Sequence, residues 1–431
     1  MLIQLLFVLT FIILGARLGG IGLGVMGGVG VAILTFVFGL QPTTPPVDVM
    51  LMIAAVISAA ACMQAAGGLD YLVKLAEKLL RSHPQYITIL APLVTYLFTF
   101  LAGTGHVAYS VLPVIAEVAT ETKIRPERPL GIAVIASQQA ITASPISAAT
   151  VALLGLLAGF DITLFDIMKI CVPATLLGVV AGALVSMKVG KELVDDPEYR
   201  RRLKAGELDV KHCELESAGN KKKACLSVVL FIAATVMVVV FGSVPSLRPS
   251  FNGELLGMPS LIEMLMLSTA ALILVLTRTD GVQAVKGSVF SAGMQAVIAI
   301  FGIAWMGDTF INGNMIALVG SIEHAVTEMP WLFGIALFVM SILLYSQAAT
   351  VRAIMPLGIA LGLNPMMLIA LFPTVNGYFF IPNYPTIVAA MNFDRTGTTR
   401  IGKWVLNHSF MLPGMVATVV AISVGLLLIQ F

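Results

Sequence analysis

Charge is scarce in this sequence: only 11% of its 431 residues are Asp, Glu, Lys or Arg, while 58% are hydrophobic and the mean hydropathy is +0.98. A soluble domain carries roughly 25% charged residues, so the composition excludes a water-soluble globular fold and predicts an all-α polytopic membrane protein. Acidic residues are scarce inside the apolar stretches, which argues against a cation pump or proton relay built on intramembrane carboxylates. Cysteine is also sparse: Cys62, Cys171, Cys213 and Cys225 show neither metal-ligand spacing nor a disulfide framework, and read as single buried thiols, so no metal or cofactor is expected. The first apolar stretch has no basic n-region and no small-residue cleavage site before Gly15, and reads as a retained helix, not a signal peptide. His106 and Ser110 have no accompanying base and orienting acid at useful spacing, which excludes a hydrolase; the chain is not read as an enzyme.

Segments near the ~20 apolar residues that a spanning helix needs are 2–14 (extended past Arg17), 21–40, 48–66, 86–120 with an interruption, 130–160, 165–188, 224–242, 260–276, 288–307, 330–362 with an interruption, 364–393 and 404–430. GLDYLVKLAEKLLRSH (68–83) spaces apolar residues helically with basic ones opposite, an interfacial helix, and 308–328 has a similar, acidic character. The halves follow one order: three spans, an interfacial segment, an interrupted stretch, a long broken span and a closing span. The predicted organisation is a first repeat, 1–188, with hairpin 86–120 and broken helix 130–160; a charged linker, 189–223; and a second repeat, 224–431, with hairpin 330–362 and broken helix 364–393. With re-entrant hairpins each half crosses five times, and an odd number inverts the second half. Placing both termini outside and the linker inside puts 22 of the 25 Lys and Arg on the cytoplasmic side; Lys169, Arg248 and Arg352 are the others. The linker lacks the aromatic interleaving of a nucleic-acid site.

Inverted repeats whose broken helices meet at mid-membrane are the signature of secondary transporters. FLAGTGHVAYS (100–110) offers Thr104, Gly105 and His106 at the first hairpin tip. In ASQQAITASPISAAT (136–150), Pro145 removes a donor and disfavours helix at Ser144, with Ser147 beside it. FPTVNGYFFIPNYPTIVAA (372–390) breaks the second span through Pro373, Pro382 and Pro385, with Asn376 and Asn383. SILLYSQAATVRAIMPLGIAL (341–361) forms the second hairpin, with Ser346, Gln347, Thr350 and Arg352. An arginine at the centre of a bilayer costs ~3 kcal/mol or more, so it is kept only where it faces a cavity, a partner or a ligand. No acid lies within a turn or two of Arg352: its anion is either external or an acid such as Glu117 or Asp308 brought in by the fold, and the sequence favours substrate contact. Helix N-termini following the breaks aim amide donors at a common centre, and the expected ligand is an anion of one or two carboxylates.

GARLGGIGLG (15–24), AAGGLDYLVKLAEKLLR (65–81), YITILAPLVTY (86–96), GTGH and LPVIAEVA (103–119), ASPISAA (143–149), GIAWMGDTF (302–310), SQAAT (346–350), PNYPT (382–386), and DRTGTTRIGK with NHSF (394–410) resemble the anaerobic C4-dicarboxylate transporter family of bacteria. The resemblance implies two inverted repeats, a dimerising scaffold, an elevator-like moving part, and exchange of fumarate, malate, aspartate and succinate across the inner membrane. It mixes features of two family branches. The DRTGTTRIGK segment resembles a region that partners a sensor kinase in some members, and reads here as a basic interfacial loop. With PNYPT included, the expected substrate-binding residues are Thr104, Gly105, His106, Ser144, Pro145, Ser147, Ser346, Gln347, Thr350, Arg352, Asn383, Tyr384 and Thr386. The alternative is a sodium- or proton-coupled dicarboxylate symporter.

Overall fold

Prolines and glycines divide the apolar runs into helices whose order repeats. The computed structural model describes residues 1–18, 21–208, 221–251, 254–329, 331–344, 346–382, 384–402 and 406–430. The first half opens with α1 (Leu2–Leu18), α2 (Gly22–Phe36) and α3 (Val47–Ala65). At Gly67, whose φ of +81° suits a residue without a side chain, the chain bends by 68° into the amphipathic α4 (Gly68–Ser82). A hairpin of α5 (Ile87–Ala102) and α6 (Ala108–Glu121) follows, then α7 (Glu127–Ala143), a break, α8 (Ala148–Leu156) and α9 (Leu164–Ser186).

After the short α10 (Pro197–Lys204), the second half comprises α11 (Lys221–Ser243), α12 (Met258–Thr277), α13 (Gly281–Lys286) and α14 (Ser288–Glu328). Two-residue strands, β1 (Ser250–Phe251) and β2 (Glu254–Leu255), pair antiparallel between α11 and α12. The second hairpin is α15 (Trp331–Leu344) and α16 (Gln347–Ala360); the second broken span is α17 (Pro365–Leu371), a 3-10 turn (Phe372–Phe379) and α18 (Pro385–Phe393); α19 (Met411–Leu428) closes the chain. Three of the hairpin arms are 14 residues long, ~21 Å at 1.5 Å per residue, which falls short of the ~30 Å hydrocarbon core, whereas α5 with the 3-10 turn before it (Pro84–Ala102, 19 residues) is long enough to span. By length and hydropathy alone, seven described helices can cross a membrane, and eight with the bent α3–α4 pair counted as one span.

Packing pairs recur with the halves exchanged. Helix α2 lies on α14 as α12 lies on α3, α8 meets α16 as α18 meets α6, and the closing helices α9 and α19 pack on each other. One expectation is corrected. Residues 308–328 are not a separate interfacial segment but continue α14, because no proline lies between Pro259 and Pro330 and nothing equivalent to Gly67 interrupts the ladder. The described part of the linker, 189–208, is tied to the segments around it. Arg202 donates to the Arg395 carbonyl at 2.9 Å and lies against Gly397, and Asp196 caps α10 while accepting from Arg125 at 2.7 Å. Cys62 and Cys171 are buried free thiols, and Cys225 is half-buried; Cys213 lies outside the described residues.

Arg125 is 4% exposed and bridges Glu127 and Asp196. Burial alone would lower its pKa, but the two carboxylates outweigh it and hold the guanidinium above its ordinary value. Burial likewise pushes Asp196 up, and the Arg125 contact with the amides of Tyr199 and Glu198 brings it below the ordinary carboxylate range. Glu127 also accepts from Ser409, so one cluster pins the α6–α7 turn, the linker and the segment before α19 together. Arg125→Ala would leave two carboxylates without their cation, a loss of ~3–5 kcal/mol for a buried pair. The expected result is a lower thermal midpoint in detergent, partly recovered by adding Asp196→Asn; an unchanged midpoint would show the cluster to be inert.

Candidate functional site

Four breaks in the helical ladder converge, and the side chains there divide into two groups. At the first tip, Gly103 ends α5 with φ +68°, and a Cβ there would stand 3.0 Å from the Ile146 carbonyl; one on Gly105 would stand 2.9 Å from Nε2 of Gln138. Thr104 lines a small cavity with Gly103 and Ile146 on one side and Ile53, Val56 and Val289 of the α3–α14 wall on the other. The side chain of His106 and the whole of Asn383 lie outside the described residues.

The expected serines hold the breaks open. Before Pro145, Ser144 is extended (φ −73°, ψ 128°), and its hydroxyl donates to the Phe100 carbonyl at 2.7 Å. Ser147 caps α8 by accepting from the Thr150 amide at 3.1 Å and donates to the Ile141 carbonyl at 2.6 Å. Ser346 caps α16 through the Ala349 amide, and Thr350 donates back to the Ser346 carbonyl at 2.8 Å. These hydroxyls terminate and restart helices within the bundle, where unpaired backbone groups are costly.

Gln347, on the first turn of α16 and 5% exposed, is the hub of the first group. Its Nε2 lies 3.0 Å from Oε1 of Gln138, 3.3 Å from Oδ1 of Asn376 and 3.3 Å from the Tyr378 hydroxyl. Gln138 in turn donates to Thr386 at 3.3 Å; Asn376 donates to Gln139 at 3.1 Å and to Thr142 at 3.4 Å; Gln139 donates to Thr418 at 3.2 Å. The ring of Tyr384 sits 4.5 Å from that of Tyr378. An amide nitrogen has two hydrogens, so Gln347 cannot serve three acceptors at once. The cluster is neutral, buried and oversubscribed, and it can exchange one internal acceptor for an oxygen of a ligand without losing a bond.

Gln347, Thr386 and Tyr384 were expected at the site. Gln138, Gln139, Thr142, Asn376 and Tyr378 were not, although adjacent glutamines in an apolar helix are a signal in themselves, since intramembrane polar groups turn toward one another or toward a ligand. Adjacent positions point about 100° apart on a helix, which is why Gln138 reaches α16 and α18 while Gln139 reaches α19.

Arg352 belongs to the second group. It lies five residues beyond Gln347, roughly 140° around the helix and about 7.5 Å along it. It lines a cavity of about 1200 Å³ walled also by Thr43, Asp48, Asp161, Arg248 and Asp308. Its terminal nitrogen is 3.5 Å from Asp308 of α14, with the two side chains 11% and 17% exposed. The fold therefore brings in an acid that the sequence neighbourhood lacks, and Arg352 is not part of the Gln347 cluster. No group of three or more His, Cys, Asp or Glu is poised for a metal among the described residues.

Fold likeness extends to a solved structure of Neisseria gonorrhoeae MtrF, described within a class of antimetabolite efflux pumps (TM-score 0.57, 13% identity, covering 92% of this chain and 84% of that one). It extends also to the Alcanivorax borkumensis YdaH transporter (TM-score 0.56, 14% identity, 100% and 98% covered). In sequence the chain is 45% identical to the C4-dicarboxylate transporter DcuA of Escherichia coli K12 over 438 residues, covering 100% of this chain and 99% of that protein. It is 44% identical to DcuA of Wolinella succinogenes over 423 residues and 43% identical to the anaerobic C4-dicarboxylate transporter DcuB of Escherichia coli O6:H1 over 432 residues, with 98% and 97% covered in each case. A family model described as anaerobic C4-dicarboxylate membrane transporter matches residues 1–431, and the chain belongs to that family.

Proposed function

We propose that this protein exchanges four-carbon dicarboxylates across the bacterial inner membrane by alternating access, with 1–188 and 224–431 as inverted repeats, both termini outside and the linker in the cytoplasm. The observation that carries the reading is the Gln347 hub, where the second hairpin tip reaches both broken spans in one buried polar cluster. Family membership supports a dicarboxylate cargo. Arg352 supplies one fixed positive charge at the cavity, and the amide cluster supplies neutral donors deeper in; together they suit a small anion better than a cation. Moving a net charge against 100 mV costs ~2.3 kcal/mol, whereas swapping a dianion for a dianion is electrically silent, which favours exchange over net uptake.

Counterflow in proteoliposomes tests this. Labelled succinate should accumulate against internal unlabelled fumarate with no cation gradient, and Gln347→Ala should cut the rate on the order of 30-fold, the effect of losing two buried hydrogen bonds at about 1 kcal/mol each. Uptake that requires a sodium or proton gradient would replace exchange with symport.

A further inference from the structure

Arg248 stands out twice: it is the single Lys or Arg assigned to an outer loop, and it lines the same cavity as Arg352, the single arginine in a hairpin. Both side chains are under-bonded in the same way, since the Nε of each is buried with no hydrogen-bond partner among the described residues. One Arg248 terminal nitrogen reaches the Leu256 carbonyl at 3.4 Å, a long contact at the open end of the β1–β2 pair. A buried guanidinium edge without acceptors is unfavourable unless an anion completes it, and a carboxylate fits that edge with two parallel bonds. The remaining charged side chains on the wall are Asp48, Asp161 and Asp308. Asp308 is already engaged with Arg352, so among the described lining residues Arg248 is the one cation left to offset Asp48 and Asp161 on the approach to that arginine.

We propose that the cavity is a receiving site for a small dianion, with Arg248 as a second cationic contact that collects a carboxylate before Arg352 and the deeper amide cluster take it. The inference rests on the exchange reading, and it adds a feature that reading does not need: the contact exists on one face of the protein only. The test is the KM for labelled succinate, measured in proteoliposomes of fixed orientation with label added to one face at a time. Arg248→Gln is expected to raise KM from the cavity face on the order of tenfold, with a much smaller effect from the opposite face, and Arg248→Lys to restore part of the loss. Asp161→Asn removes a negative charge from the same wall and should lower KM from the cavity face, which keeps the idea testable if Arg248→Gln fails to fold. An equal rise from both faces, or no change from the cavity face in any of the three variants, overturns it. Should wild type exchange succinate and Gln347→Ala lose exchange while the Arg248 variants are silent, the exchange reading stands and this inference falls; absence of exchange in wild type removes the reading itself.

Discussion

Arg352→Ala is expected to abolish dicarboxylate exchange and also to destabilise the protein, and adding Asp308→Asn should recover stability but not transport. The two effects have separate origins. Removing the arginine leaves Asp308, 17% exposed and 3.5 Å away, as an uncompensated carboxylate in the bundle, and breaking such a pair costs ~3–5 kcal/mol. Neutralising Asp308 in the double variant removes that penalty. Transport depends on a charge-assisted contact worth ~1.5–3 kcal/mol per bond, which no neutral partner replaces. Thermal unfolding in detergent reads the first effect and succinate counterflow the second. A double variant that regains counterflow would reduce Arg352 to a structural partner of Asp308, and a single variant with normal exchange would remove it from the substrate path.

Gly302→Ala is expected to destabilise the protein strongly. Helices α2 and α14 touch backbone to backbone: a Cβ on Gly302 would stand 1.8 Å from the Gly24 carbonyl oxygen, and one on Gly24 would stand 2.0 Å from that of Ile298. Neither obstacle is the end of a flexible side chain, so one added methyl forces the helices apart along their length. Without water to drive association, helices in a membrane hold together through such close approach of small residues. Overpacking costs about 1–3 kcal/mol where neighbours can adjust, and here the upper end or beyond is expected. Gly28, on α2 with Gly24, has open space around its position, so Gly28→Ala is the control and should leave the thermal midpoint unchanged. Equal behaviour of the two variants would contradict the close contact.

Much of the fold was legible because its signals are local. Pro145 sits where α7 ends, Gly103 where the first hairpin turns, and Pro385 at the first residue of α18. Each acts through its own backbone geometry and needs no neighbour to be read. The amphipathic α4 was equally plain from its spacing, whereas the continuation of α14 to Glu328 was missed because a polar, acidic composition suggested an interface where the backbone had no reason to break.

Part of the polar cluster was legible. Gln347 and Thr386 stood out as polar residues at breaks, but the breaks also drew attention to Ser144, Ser147 and Ser346, whose hydroxyls are committed to capping. The partners of Gln347 lie 209 residues away at Gln138 and 29 away at Asn376, and no spacing rule connects them.

What the sequence determined by itself was the all-α membrane class, the places where helices stop, and the intramembrane arginine, because composition, proline and glycine act on the chain residue by residue. What only the tertiary structure decided was which polar groups meet: Gln347 with Gln138 and Asn376, Arg352 with Asp308, and Arg248 on the cavity of Arg352. Those meetings follow from close packing of helices that are far apart in the chain, and contacts made by shape between distant segments leave no mark in local sequence.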